Sequence, residues 1–326
     1  MKTIVLDKPG ELRKTETDSP IDVPTGYALV RVNRVGVCGT DWHAYRGDQP
    51  FFSYPRILGH ELGVVVERVN DAGSNLKPGD RCAVEPYLNC GHCIACRASR
   101  PNCCVDLKVM GVHVDGGMRE RVLVPTAKLH RSEKLSLDEL ALVEPLSIGC
   151  HAVDRAGITV GERVLIIGAG PIGLSVIPFA TAAGGKVTVM DISPSRLEFC
   201  RTKLGVATTV DVADDLPTCV IDATGNPKSM ARCFDLAAHG GRIVFVGLFQ
   251  GDLTFNDPNF HRRELTLLAT RNSRPVDFER IIGMMERGEI DAKSWITHRA
   301  AVDQLLEEFP KWLAPDAGLV KAMIEF

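Results

Sequence analysis

The sequence has no surplus of positive charge. Its 326 residues carry 38 Lys and Arg against 41 Asp and Glu, a formal net charge of −3, so nothing draws the chain electrostatically toward nucleic acid. It has no internal repeat and no low-complexity tract, which argues against a solenoid or a disordered linker protein. Met1-Lys2-Thr3-Ile4 shows no signal-peptide pattern. A secreted disulfide framework is therefore not expected, and a cytoplasmic location is. One stretch, Val164 to Gly185, has no charged side chain and on count alone could cross a bilayer. Gly168, Gly170 and Gly173 interrupt it after a β-branched start, so a strand, a tight turn and a buried helix are expected there instead. Hydrophobic residues at 45% and charged residues at 24% are an ordinary soluble composition, and the length suits two domains.

What the chain does have is eleven cysteines. Cys90, Cys93 and Cys96 fall at even spacing, and Cys104 follows. Overlapping Cys-x-x-Cys turns present thiolates on one side of a metal, and a returning cysteine closes a tetrahedron. A closed four-thiolate shell leaves no open position, so this zinc is expected to be structural. Cys103, next to Cys104, is an alternative fourth ligand on spacing alone. Cys82, Cys200, Cys219 and Cys233 read as small buried residues. The lobe is expected at about residues 88–106.

The patterning changes near Glu144. Before it, β-rich runs such as Ala28 to Val32 and Leu62 to Val69 are separated by Pro/Gly turns. After it, strands alternate with helical patterns, as in a parallel sheet with crossover helices. Val164 to Ile167 is a short apolar run, as in a strand covered on both faces. It leads into Gly168-Ala169-Gly170-Pro171-Ile172-Gly173. These glycines allow a tight turn, close approach of backbone to pyrophosphate, and close helix–strand packing, with helix N–H groups facing the phosphates. A second strand, Lys186 to Met190, ends at Asp191, where an acid bonds the adenosine ribose. That carboxylate repels a 2′-phosphate, so NAD is expected over NADP. Arg196, one turn on, lies against the adenine or in solvent. Further strands are expected at Thr208 to Val210, Cys219 to Asp222, Arg242 to Val246 and Leu265 to Ala269, completing a doubly wound Rossmann sheet. Thr224, Gly247, Leu248, Arg271 and Asn272 join the cofactor set. The link Asp211 to Thr218 is too short for a crossover helix.

Cys38-Gly39-Thr40-Asp41, Gly59-His60-Glu61, the Cys90 to Cys104 lobe, Glu144-Pro145-Leu146-Ser147 and Gly168 to Gly173 occur in that order. The chain thereby resembles the zinc-dependent medium-chain dehydrogenases of the alcohol and sorbitol dehydrogenase type, over essentially its whole length. The resemblance implies an α/β protein with a GroES-like β-rich catalytic domain, residues 1–145 and 273–326, and an NAD-binding Rossmann domain, 146–272. The chain would return to the catalytic domain with a last strand at Leu319 to Ile324. The resemblance also implies Cys104 as the fourth lobe ligand, and a catalytic zinc held by Cys38, His60 and Glu144. Glu61 then stands behind the metal or exchanges onto it, which makes two zinc ions per chain. Thr40 would take the proton of the reacting hydroxyl and pass it by way of the nicotinamide ribose to His43. Lys321 would lie near the cofactor pyrophosphate, and a homodimer or homotetramer is implied. A zinc-ribbon nucleic-acid binder is disfavoured by the acidic balance. Quinone reductases of the same superfamily lack the Cys38, His60 and Glu144 set.

Within the family the chain is similar to a bacterial subgroup acting on sugar acids, the L-galactonate and L-gulonate 5-dehydrogenases. Asp48 to Arg56, Gly111-Val112-His113, Val246 to Phe249, Asp257-Pro258 and Arg271-Asn272 carry that likeness. It implies a small-molecule sugar acid or polyol as substrate, with sorbitol, threonine and galactitol-phosphate dehydrogenation as alternatives. An aldonate carboxylate suits a bidentate arginine, and Arg271, Arg274, Arg46 and Arg56 are candidates.

Overall fold

The computed structural model describes residues 1–49, 52–212, 215–314 and 317–326. The chain divides into two compact units, Met1–Glu144 with Arg274–Phe326, and Pro145–Ser273.

The first unit is β-rich. Its seven-stranded sheet is built around the Tyr27–Val37 strand, which pairs antiparallel with Glu61–Asn70, Arg121–Pro125 and Lys321–Glu325. Arg81–Val84 and Leu129–Arg131 extend one side, and Ile296–Ala301 the other. Ile4, Leu6, Val30, Leu62, Met118 and Phe309 lie in its apolar core, each side chain of this size contributing about 1.5–3 kcal/mol by leaving water. The last strand begins two residues later than Leu319, at Lys321. Tyr87–Leu88 pairs antiparallel with Lys108–Val109 and closes the neck of the cysteine lobe.

The second unit holds a six-stranded parallel sheet in chain order 3-2-1-4-5-6, the doubly wound arrangement read from the sequence. Its first strand, Arg163–Ile167, is central and buried from Val164 onward, which explains its lack of alternation. The helix Pro171–Ala182 starts on proline at its first position, where the missing N–H costs nothing. Leu174, Val176, Ile177, Phe179 and Ala180 of this helix are buried, so its apolar run serves the core. Among the described residues no helix is long and apolar enough to cross a membrane. The third strand is Ala207–Thr209. Ala213 and Asp214 of the following link lie outside the described residues, and the described residues beside them are not helical.

Candidate active site and metal centres

In the lobe, the sulfurs of Cys90, Cys93, Cys96 and Cys104 all lie within 4.8 Å of one another. Cys104 is buried and Cys103 exposed, so the two neighbours take separate roles. Backbone N–H groups point at the sulfurs. Cys90 donates to Cys104 Sγ at 3.3 Å, Cys93 to Cys90 Sγ at 3.4 Å and Cys96 to Cys93 Sγ at 3.5 Å. The Cys96 and Val105 N–H groups hold the Cys93 thiol down to about 6, which favours the thiolate a metal needs. Four converging soft donors with N–H support fit a structural zinc.

A second cluster gathers Cys38, His60 and Glu61, again with ligand atoms within 4.8 Å. Cys38 follows the Tyr27–Val37 strand and caps the helix Gly39–Arg46. Asp41, three residues on, accepts the Cys38 N–H at 2.8 Å. The other Asp41 oxygen faces His60 Nδ1 at 3.9 Å, and among the described residues neither atom has a hydrogen-bond partner. Burial alone would lower the His60 imidazole, but Asp41, Cys38 and Glu144 more than reverse this and raise it well above its ordinary value. So many acidic groups around one buried imidazole suit a doubly charged cation, with Asp41 orienting the ring from behind. Sequence reasoning did not single out Asp41; its place three residues after a helix-capping Cys38 was the available signal.

Glu61 opens the Glu61–Asn70 strand. Lys321 Nζ donates to both its oxygens, at 2.7 and 2.8 Å, and to the Val37 carbonyl at 3.2 Å. Lys321, which resemblance puts near the cofactor phosphates, is 2% exposed and serves as the cation a buried carboxylate requires. Gly36 makes this possible, because a Cβ there would stand 2.1 Å from Glu61 Oε2.

Glu144 is 5% exposed, and Tyr87 Oη donates to its Oε1. Burial pushes its carboxyl up to about 7, with His60 opposing and Glu61 adding to the shift. The tight cluster contains Glu61 rather than Glu144, the reverse of the order implied by resemblance. Each acid is drawn to its own partner, Glu61 to Lys321 and Glu144 to Tyr87.

Thr40 and His43 lie one turn apart on the Gly39–Arg46 helix, so they share a face. His43 is exposed, with Nδ1 2.9 Å from Asp48 Oδ1. Pro50 and Phe51 of the Asp48 to Arg56 motif lie outside the described residues. Arg56 donates to Asp115 at 3.3 Å and to Ser53 at 2.8 Å. Arg274 donates to Asp277 at 3.4 Å and lines a depression of about 450 Å³ with Asn89 and Cys96 beside the lobe. Arg46 and Arg271 are exposed.

In the second unit the expected cofactor residues gather at carboxyl ends of the strands. Gly168 follows the first strand, Asp191 the second, Thr224 the fourth, Gly247 and Leu248 the fifth, and Arg271 and Asn272 the sixth. Such ends are where a doubly wound sheet binds its ligand. A Cβ on Gly173 would stand 1.7 Å from the Gly168 carbonyl oxygen, so only glycine lets the helix approach the loop. Gly170 caps this helix, and Pro171 and Ile172 form its first turn. Asp191 accepts the Ala169 N–H at 2.6 Å and the Ser193 N–H at 2.7 Å, tying the second strand to the glycine loop. Thr224 Oγ donates to buried Asp222 at 2.8 Å. Arg196 is exposed on the next helix, and Ile192 wholly so.

A doubly wound sheet with this loop, joined in one chain to a β-rich unit with two cysteine-containing donor clusters, defines a zinc-type dehydrogenase. The chain belongs to the zinc-binding alcohol dehydrogenase family. Residues 24–134 match the alcohol dehydrogenase GroES-like domain, and 171–287 the zinc-binding dehydrogenase domain. It is 40% identical to L-galactonate-5-dehydrogenase of Escherichia coli (strain K12), covering 100% of this chain and 99% of that one. An alcohol dehydrogenase (rspB) from E. coli CFT073, solved with NADH, superimposes with a TM-score of 0.93 at 29% identity, covering 100% and 99% of the two chains. A zinc-binding dehydrogenase from Sinorhizobium meliloti 1021, bound to NADP, gives a TM-score of 0.91 at 28% identity, with the same coverage.

Proposed function

We propose that this chain oxidises a secondary hydroxyl of a sugar acid to a ketone, with NAD as hydride acceptor and zinc at the Cys38, His60, Glu61 and Glu144 site. L-Galactonate or L-gulonate, reacting at C5, is the substrate class. The observation that carries this reading is the cluster of half-buried Cys38 with buried His60 and Glu61 in a chain whose Asp191 follows the second strand of the nucleotide sheet. The name of the relative sharing 40% identity supports the sugar acid. Bound zinc would supply Lewis-acid polarisation of the hydroxyl, and bound NAD would accept the hydride. The chain's own part is to hold the donors and move a proton. Thr40 takes the hydroxyl proton, and exposed His43 delivers it to water while Asp48 orients its ring. Assembly as a homodimer or homotetramer belongs to the same reading.

The test is a panel of L-galactonate, L-gulonate, sorbitol, galactitol phosphate and L-threonine with NAD. The aldonates are expected to give the highest kcat/KM, and sorbitol turned over equally well would overturn the sugar-acid assignment. Arg271 lies at the carboxyl end of the sixth strand with the cofactor loops. Arg271→Ala is expected to lower aldonate efficiency about ten- to a hundredfold, the worth of a charge-assisted bond of about 1.5–3 kcal/mol. An undiminished preference for aldonates in this variant would move the carboxylate site to another arginine.

Solved relatives bind either NADH or NADP, so the fold alone does not choose the nucleotide; here Asp191 does. Asp191→Ala is expected to raise KM for NAD about tenfold or more and narrow the NAD-over-NADP ratio, through loss of charge-assisted bonds to the ribose. Wild type using NADP as well as NAD at equal concentration would contradict this.

A further inference from the structure

We propose that Tyr87 is a positioning residue for the active site, acting through Glu144. The proposal rests on the reading that Glu144 serves the Cys38 and His60 metal site. The Tyr87 ring is 3% exposed, and its hydroxyl donates to Glu144 Oε1 across 57 positions of sequence. One buried acid, Glu61, belongs to the cluster, and a second, Glu144, is also buried. Lys321 Nζ grips both oxygens of Glu61. Glu144 accepts the Tyr87 hydroxyl, which orients its carboxyl group. A hydrogen bond from behind to a ligating or exchanging carboxylate fixes its rotamer and is worth about ten- to a hundredfold in metal affinity or activity.

The backbone beneath the hydroxyl is anchored on both sides. Tyr87 pairs with Val109 at the neck of the lobe. Two residues earlier, buried Glu85 accepts Lys128 Nζ and lies 3.1 Å from His130 Nε2, while the His130 ring stacks on Phe278 at 4.8 Å. The hydroxyl therefore has little room to follow a wandering carboxylate, as a positioning device requires. The Cys90 to Cys104 lobe begins just beyond, so the neck that frames the structural metal also sets an acid of the catalytic one.

The experiment compares wild type, Tyr87→Phe, Glu144→Ala and the double variant. A chromogenic zinc chelator reads zinc release, and the phase absent from Cys38→Ser identifies the catalytic site. Tyr87→Phe is expected to speed that phase about tenfold and to lower kcat about tenfold, with KM for NAD, the lobe phase and Tm unchanged. In the Glu144→Ala background the Tyr87→Phe step is expected to add nothing, because residues acting through one another are not additive. The proposal is overturned if Tyr87→Phe behaves as wild type, if it adds its full effect without Glu144, or if it releases lobe zinc or lowers Tm. Should Glu144→Ala itself change neither zinc release nor turnover, the reading of Glu144 fails with it. A Glu144→Ala effect with none from Tyr87→Phe removes only the positioning role.

Discussion

Cys38→Ser is expected to lose turnover by about a thousandfold or more while keeping its fold. Cys38, His60 and Glu61 form the tight cluster, and replacing its only thiolate with a hydroxyl removes the soft donor that zinc prefers. Lewis-acid polarisation is worth several kcal/mol, and about 4 kcal/mol corresponds to roughly a thousandfold in rate. The fold should survive because Cys38 sits at a strand–helix junction whose helix is still capped by Asp41. Steady-state kinetics, circular dichroism and metal content read the three outcomes together. The expected result is one zinc retained, in the lobe, with a native spectrum. Turnover within a few-fold of wild type would remove Cys38 from the site.

Cys93→Ser is expected to do the opposite. Its sulfur accepts a backbone N–H inside the lobe and belongs to the four-sulfur set. The lobe offers little apolar core of its own: Ile94 is 73% and Val105 75% exposed, so metal ligation must supply most of its order. Loss of that zinc is expected to lower Tm by roughly 10 °C, about 3–5 kcal/mol for a chain with two units of this size. Turnover should persist in the fraction that stays folded. A variant with unchanged Tm and unchanged zinc content would show that the lobe does not depend on metal.

These contrasting outcomes follow from features of unequal legibility in the sequence. The lobe and the glycine loop were readable because their chemistry is local: cysteines at turn spacing, and glycines between a strand and a helix. Spacing alone left Cys103 and Cys104 open; resemblance implied Cys104, and the fold buries Cys104 and exposes Cys103. The balance between Glu61 and Glu144 was not readable, because it is set by partners distant in sequence. Lys321 reaches Glu61 across 260 positions, and Tyr87 reaches Glu144 across 57. Neither Lys321 nor Tyr87 stands in a motif of its own. Asp41 lay inside the Cys38-Gly-Thr-Asp motif, yet its approach to His60 depends on two strands meeting. Strand existence in the second unit was clear from apolar runs and Gly turns, while ends moved by a residue, as at Ala207–Thr209; in the first unit the last strand begins two residues late, at Lys321. Such ends are settled by hydrogen bonding between strands rather than by local preference.

The central claim is that turnover depends on a zinc held by Cys38 and its buried partners, apart from the zinc of the lobe. It is tested most directly by removing zinc stepwise with a chelator while following NAD reduction with L-galactonate. The wild-type chain is expected to start with about two zinc ions, one for each donor cluster. Activity should fall in proportion to loss of the first and return when zinc is added back. Full activity in a chain that holds about one zinc, in the lobe alone, would contradict the account.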